Sequence, residues 1–358
     1  MNDITHDITR SCPPAPAGYA RLGGRAWNVL VHRRAAMAVA ILLLLQLAVV
    51  ALSLSSGTAA VSPGQALSAL LGQGSDMQVF LIRELRLPRL MAGLLSGAAF
   101  GAAGCLLQTL ARNRLATPGI IGVDDGASAF AIASIVAVPT SMAPSFLALW
   151  GAATAAVLVF LLAAGPGAQG YRFIVVGIAI GAIFGALTNL MLARTGIDSA
   201  NLAYPWTVGS LNARPAQAVW LLGFCLACCL PGAKYAARSL NLLRLSDAVA
   251  VGLGVGLRRI RAQVLVLAVF MTGFGVAVAG PVGLIALAAP ELARHMTGHK
   301  GVPVLTSALA GALLMTMADW AGRSLFAPIE IPVGVITAVV GGPYLLWILL
   351  RPARRDMA

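Results

Sequence analysis

Long apolar runs separated by short polar stretches set the pattern of this chain. Each is near the length that crosses a hydrocarbon layer about 30 Å thick at about 1.5 Å rise per residue. The runs predict ten helical spans: Ala35–Leu54, Leu90–Ala111, Val123–Val138, Ala143–Ala164, Phe173–Ala193, Ala216–Leu230, Gln263–Ala279, Val282–His295, Val302–Leu325 and Val333–Leu350. Between them lie a polar connection over Ser55–Arg89, a turn at Gly165–Arg172 and a polar loop holding Tyr204-Pro205-Trp206 and Gly209-Ser210-Leu211. Lys234–Arg261 is basic and predicts two short helical pieces, one capped by Ser246-Asp247 and ended by Gly252. Residues 1–34 form a polar, flexible leader stopped by His32-Arg33-Arg34. A cleaved signal peptide is the other reading of the first run, but both the run and the leader are long for one.

Leu90–Ala111 is the run around which the others are organised. It lacks a charge, and Gly93, Gly97 and Gly101 fall on one helix face, widened by Ala98, Ala102 and Ala103. A smooth face lets a second backbone approach closely, which is how helices associate where burying oil against oil gives no driving force. This helix is expected at the centre of a bundle. Phe173–Ala193 repeats the device with Gly177, Gly181 and Gly185. Asp124 and Asp125 are expected as N-caps of the following helix.

Composition agrees with the pattern: 59% hydrophobic and 10% charged residues, with a mean hydropathy of +0.87. This is an all-α polytopic membrane protein, since long continuous runs exclude the alternating strands of a barrel. The net charge of +13 comes from arginines scattered between apolar runs, which argues against nucleic acid. With the N-terminus inside, 19 of the 25 basic residues fall on the inner side, an orientation that puts both termini in the cytoplasm. Cys225-x-x-Cys228-Cys229 has no second pair or histidine cluster beside it and is read as packing.

Candidate chemistry is sparse. Neither lysine, Lys234 or Lys300, sits in a phosphate-binding G-x-x-x-x-G-K-[ST] loop, and H-E-x-x-H and G-x-S-x-G are missing. The chain is therefore no conventional ATPase, and no cofactor is expected. Asp319 is the one acid well inside a span, and Arg323 lies one turn later, so an intrahelical pair is expected.

The stretch Arg86-Leu87-Pro88-Arg89, the small-residue span ending at Gln108, Arg112-Asn113-Arg114-Leu115-Ala116 and Pro118 resemble the FecCD-type permease subunits of ABC importers for iron chelates and cobalamin. So do Gly280-Pro281-Val282-Gly283-Leu284-Ile285 with Ala289-Pro290, and Asp319-x-x-x-Arg323 with Glu330-x-Pro332-Val333-Gly334. The likeness covers roughly Ala35–Arg351. It implies a type II ABC importer permease fold: one transmembrane domain over 35–351 with a cytoplasmic coupling segment at 238–261, after the 1–34 leader and before a 352–358 tail.

It further implies an inner-membrane subunit that moves a ferric-siderophore cargo and is powered by separate P-loop ATPase subunits. Its partners would be a periplasmic substrate-binding protein and a second permease subunit, related but not identical. The resemblance assigns binding-protein docking to Arg86, Arg89 and Arg323, the cytoplasmic gate to Asn113, Leu115 and Tyr171, and ATPase coupling to Leu240, Asp247 and Gly252. Lipid headgroup anchoring is the competing role for Arg86 and Arg89 in this membrane-embedded chain. Three residues depart from the family pattern: Arg114 in place of proline, Glu291 in place of histidine, and Asp247 alone where a Gly-Glu pair is usual. Cobalamin or haem is the alternative cargo, and a stand-alone secondary carrier the alternative class.

Overall fold

The computed structural model describes residues 19–24, 27–57, 61–137, 143–163, 171–298 and 301–350. Residues 1–18, most of the Gly165–Arg172 turn and the 352–358 tail lie outside the described residues. Ten described helices match the ten expected spans: α1 (Arg33–Ser55), α4 (Leu87–Leu110), α5 (Val123–Ala137), α6 (Ala143–Ala163), α7 (Tyr171–Arg194), α9 (Ala216–Leu243), α11 (Leu257–Ala279), α12 (Gly283–Thr297), α13 (Val304–Ser324) and α14 (Val333–Leu350). Among the described residues, seven helical segments are long and apolar enough to cross a membrane on length and composition. Among the ten, α5 and α12, at 15 residues each, are too short for that standard.

The expected central helix is central. The segment containing α4 is 78% buried along its most apolar window, against 22% for α1. Its neighbours are α13, α11, α12 and α9. A methyl group added at Gly97 would collide with the Gly311 carbonyl, one at Gly101 with the Ser307 carbonyl, and one at Gly104 with the Ala286 carbonyl. The small-residue strip is thus filled by the backbones of α13 and α12. The similar strip on α7 is used in part: Gly177 lies against Ile120, while nothing approaches Gly185.

Four stretches differ from expectation. Part of the leader is a β-hairpin, β1 (Tyr19–Gly24) antiparallel to β2 (Trp27–His32), where Val29 and Val31 favour extended backbone. The Ser55–Arg89 connection holds α2 (Pro63–Leu70), α3 (Asp76–Phe80) and a π-helical turn, Leu81–Arg86, that runs directly into α4. Ser62 and Gln65 form a reciprocal capping box on α2, so polar sequence here encodes helix ends rather than loop.

The supposed polar loop contains α8 (Ile197–Val208), which accommodates Pro205 and buries Ala203 and Trp206. Finally, α9 does not stop before Pro231 but continues to Leu243. Ala233, Ala236, Ala237, Leu240 and Leu243 remain buried at helical spacing, so packing outweighs the one backbone bond that proline removes. Only one short helix, α10 (Asp247–Gly252), then remains of the two expected in the coupling segment; Ser246 caps it, accepting from the Val249 N–H at 3.1 Å. Asp124 and Asp125 lie within the first turn of α5 rather than at its cap.

Candidate functional site

Charged side chains gather at the two ends of α4, about 36 Å apart at about 1.5 Å per residue. The N-terminal end opens on a cavity of 660 Å³ whose wall includes Arg86, Arg89, Arg214, Arg323, Glu84 and Glu330. All three arginines expected to dock a binding protein therefore meet at one cavity.

None of the three stands as a free surface charge. Asp319 is shared: its Oδ1 accepts from Arg89 Nε at 3.0 Å and its Oδ2 from Arg323 Nε at 3.0 Å. Arg89 Nη1 donates to Glu330 Oε2 at 2.8 Å. The intrahelical Asp319–Arg323 pair is present as expected, and Arg89, from a different helix, joins it. These three side chains are 8 to 16% exposed, whereas Glu330 is 51% exposed and carries the cluster into the cavity.

Arg86 is buried and its Nη1 donates to the Leu54 carbonyl in the last turn of α1, a group no intrahelical donor reaches. Arg214, in the same cavity wall, has no assigned role in the sequence. Its Nε donates to the Ser210 carbonyl at 2.9 Å, and its guanidinium lies 4.3 Å from the Trp206 ring centre. Burial pushes this group down to about 10, so it remains a cation near neutrality.

At the other end, Arg112 closes α4 in the left-handed conformation, φ 50°, that glycine usually supplies after a helix. Its Nε and Nη2 donate to the Leu243 carbonyl at 3.1 and 2.6 Å, and Nη2 donates to Asp247 Oδ1 at 2.7 Å. Asp247 Oδ2 accepts from Arg261 Nη2 at 2.7 Å. Both carboxylate oxygens of the first α10 residue are thus held by arginines from α11 and the α4 end.

Of the expected gate residues, Asn113 Oδ1 accepts from the Leu115 N–H at 2.9 Å, shaping the loop, and Leu115 is exposed. Tyr171 is the first residue of α7, whose Gly177 abuts Ile120 just beyond that loop. Of the expected coupling residues, Asp247 and Gly252 bound α10, but Leu240 is fully buried on α9. The large apolar side chains that face outward there are Leu245, Val249, Val251 and Leu253, which the resemblance does not single out.

Two of the three departures from the family pattern face each other. Arg114 Nη1 donates to Glu291 Oε1 at 3.2 Å. Glu291 Oε2 accepts from Arg294 Nε at 3.1 Å and Nη2 at 3.0 Å. Arg294 also bonds Gln108 Oε1, and Gln108 Nε2 donates to the Ala286 carbonyl at 3.3 Å, so α4 and α12 are tied here by polar contacts.

This two-ended arrangement can be set beside known proteins. Residues 42–351 match the FecCD transport family. The chain belongs to that family. Among FecCD relatives, the Fe(3+)-citrate import system permease protein YfmE of Bacillus subtilis (strain 168) is 36% identical over 328 residues, 91% of this chain and 98% of the relative. The ferric enterobactin transport system permease protein FepG of Escherichia coli (strain K12) is 34% identical over 84% of this chain and 92% of its own length. A solved metal-chelate type ABC transporter in an inward-facing conformation superposes with a TM-score of 0.78 at 25% identity, covering 89% of this chain and all of that one. The fold is that of the metal-chelate ABC permeases.

Proposed function

We propose that this FecCD chain is the membrane-spanning permease subunit of an ABC importer that carries a ferric-siderophore complex across the cytoplasmic membrane. Supporting the cargo are relatives named for ferric citrate and ferric enterobactin, similar along nearly their whole length. The observation that carries the mechanism is α4. One buried helix of membrane-crossing length joins an arginine-walled cavity to the segment bearing α10.

In this reading a substrate-binding protein delivers the chelate to the cavity end. Opposed fixed charges set docking register and encounter rate more than affinity. Glu330 and the cavity face of Arg89 and Arg323 supply the charge pattern, while Arg86 fixes α1 beside it. The opposite end meets a separate P-loop ATPase through α10 and its exposed apolar neighbours, Asn113 and Leu115 narrow the inner mouth with Tyr171, and a second permease subunit completes the path. ATP turnover in the partner then switches access between the two sides. The chain itself hydrolyses nothing, and both termini lie in the cytoplasm.

The test is growth of a deletion strain on individual ferric siderophores as sole iron source, with cobalamin uptake measured in parallel. Loss of growth on at least one siderophore, restored by the gene and abolished by inactivating the partner ATPase, is expected. Normal use of every ferric chelate with lost cobalamin uptake would overturn the cargo. Uptake that persists without the ATPase would overturn the importer class.

A further inference from the structure

The loop after α4 is tied at two points to two different elements. Arg112 is bound to the end of α9 through Leu243 and to α10 through Asp247. Two residues later, Arg114 reaches Glu291 on α12. Between them the Asn113 side chain holds the Leu115 N–H, which stiffens the span between the two ties.

The two ties differ in kind. The Arg112 tie is a fork: two bonds to one carbonyl and one to a carboxylate that a second arginine also holds. The Arg114 tie is a single bond at 3.2 Å from a side chain 63% exposed to a carboxylate 5% exposed. Parting it leaves no stranded charge inside, because Arg294 keeps Glu291 Oε2 and Arg114 passes into water. Glu291 is therefore built as a socket: Arg294 fixes one oxygen, and the other, with His295 Nδ1 of the same helix 3.4 Å away, is offered to an arginine from outside α12 that can leave.

We propose that Arg112–Leu115 is a strap that carries displacement of α10 to α12, and that Arg114–Glu291 is its releasable end, closed at rest and parted when the inner mouth opens. Arg112, Arg114 and Glu291 act as positioning residues. This rests on the importer reading above, in which α10 is moved by an ATPase.

Arg112 provides a discriminating variant. Arg112→Gly removes the fork but supplies the residue best suited to a φ of 50°, so a merely structural role predicts retained transport. The strap predicts the opposite. In proteoliposomes holding the whole importer, cargo moved per ATP hydrolysed should fall at least fivefold in Arg112→Gly and at least threefold in Arg114→Gln. Arg114→Lys should retain more than half. With native cysteines replaced by serine, a cleavable bifunctional thiol reagent bridging Arg114→Cys to Glu291→Cys should block uptake, and cleaving the bridge should restore what that pair carries. Bridging should drop severalfold in the vanadate-trapped state.

Unchanged cargo per ATP in both Arg112→Gly and Arg114→Gln would overturn the strap, as would full uptake with the bridge closed or equal bridging at rest and when trapped. A wild-type complex with no ATP-driven uptake would overturn the importer reading itself, a result separate from any difference among variants.

Discussion

The cavity end of α4 and its opposite end are both rich in arginine, yet they are assembled differently. At the cavity Asp319 is largely buried between Arg89 and Arg323, and Arg86 is sunk against a helix end. At the opposite end, Arg112, Arg261 and Asp247 are each about a third to a half exposed. Breaking a buried pair by removing one partner costs roughly 3 to 5 kcal/mol, whereas an exposed pair contributes about 0.2 to 1 kcal/mol. One end is therefore a fixed frame and the other can rearrange at little cost. A surface that receives a rigid partner suits the first, and a surface that follows a motor suits the second.

The contrast requires α4 to be a stiff spacer, so the largest effect should come from loosening it. Gly101→Leu places a side chain where the Ser307 backbone lies, and the yield of folded protein should drop by about an order of magnitude, measured by size-exclusion profile in detergent. Next, Asp319→Ala strands Arg323, leaves Arg89 with Glu330 alone, and should destabilise by roughly 3 to 5 kcal/mol, read as a lowered thermal midpoint. A shift too small to measure would put both ends in one energetic class. Asp247→Ala should cost only about 0.2 to 1 kcal/mol of stability while ATP-coupled uptake falls severalfold, and the stability part should fade in high salt. Smallest of all, Glu330→Gln should leave the melting profile within error and slow binding-protein association at low ionic strength, read from association rates.

Spans were legible because apolar length is a strong local signal, and the Gly93–Gly101 strip announced a buried helix. The π-helical turn was hidden by its three charged residues, and α8 by its short length and internal Pro205. At Pro231 a local rule gave way to the buried face that continues beyond it.

Within the site, residues were easier to read than their partners. Arg89 meets Asp319 across 230 positions and Arg114 meets Glu291 across 177, separations that no local spacing reveals. Arg114 and Glu291 had each been noticed as an oddity; folding makes them a pair. Leu240 belongs to the expected segment but to its inward face, since the helix that carries it runs on past Pro231 to Leu243.

The central claim is that the arginine-walled cavity and α10 face opposite compartments. With native cysteines replaced, Asn212→Cys at the cavity and Val251→Cys on α10 can be probed with a membrane-impermeant thiol reagent in sealed spheroplasts and in inverted vesicles. Labelling at 212 only in spheroplasts and at 251 only in inverted vesicles is expected. Labelling of both from the same face would contradict it.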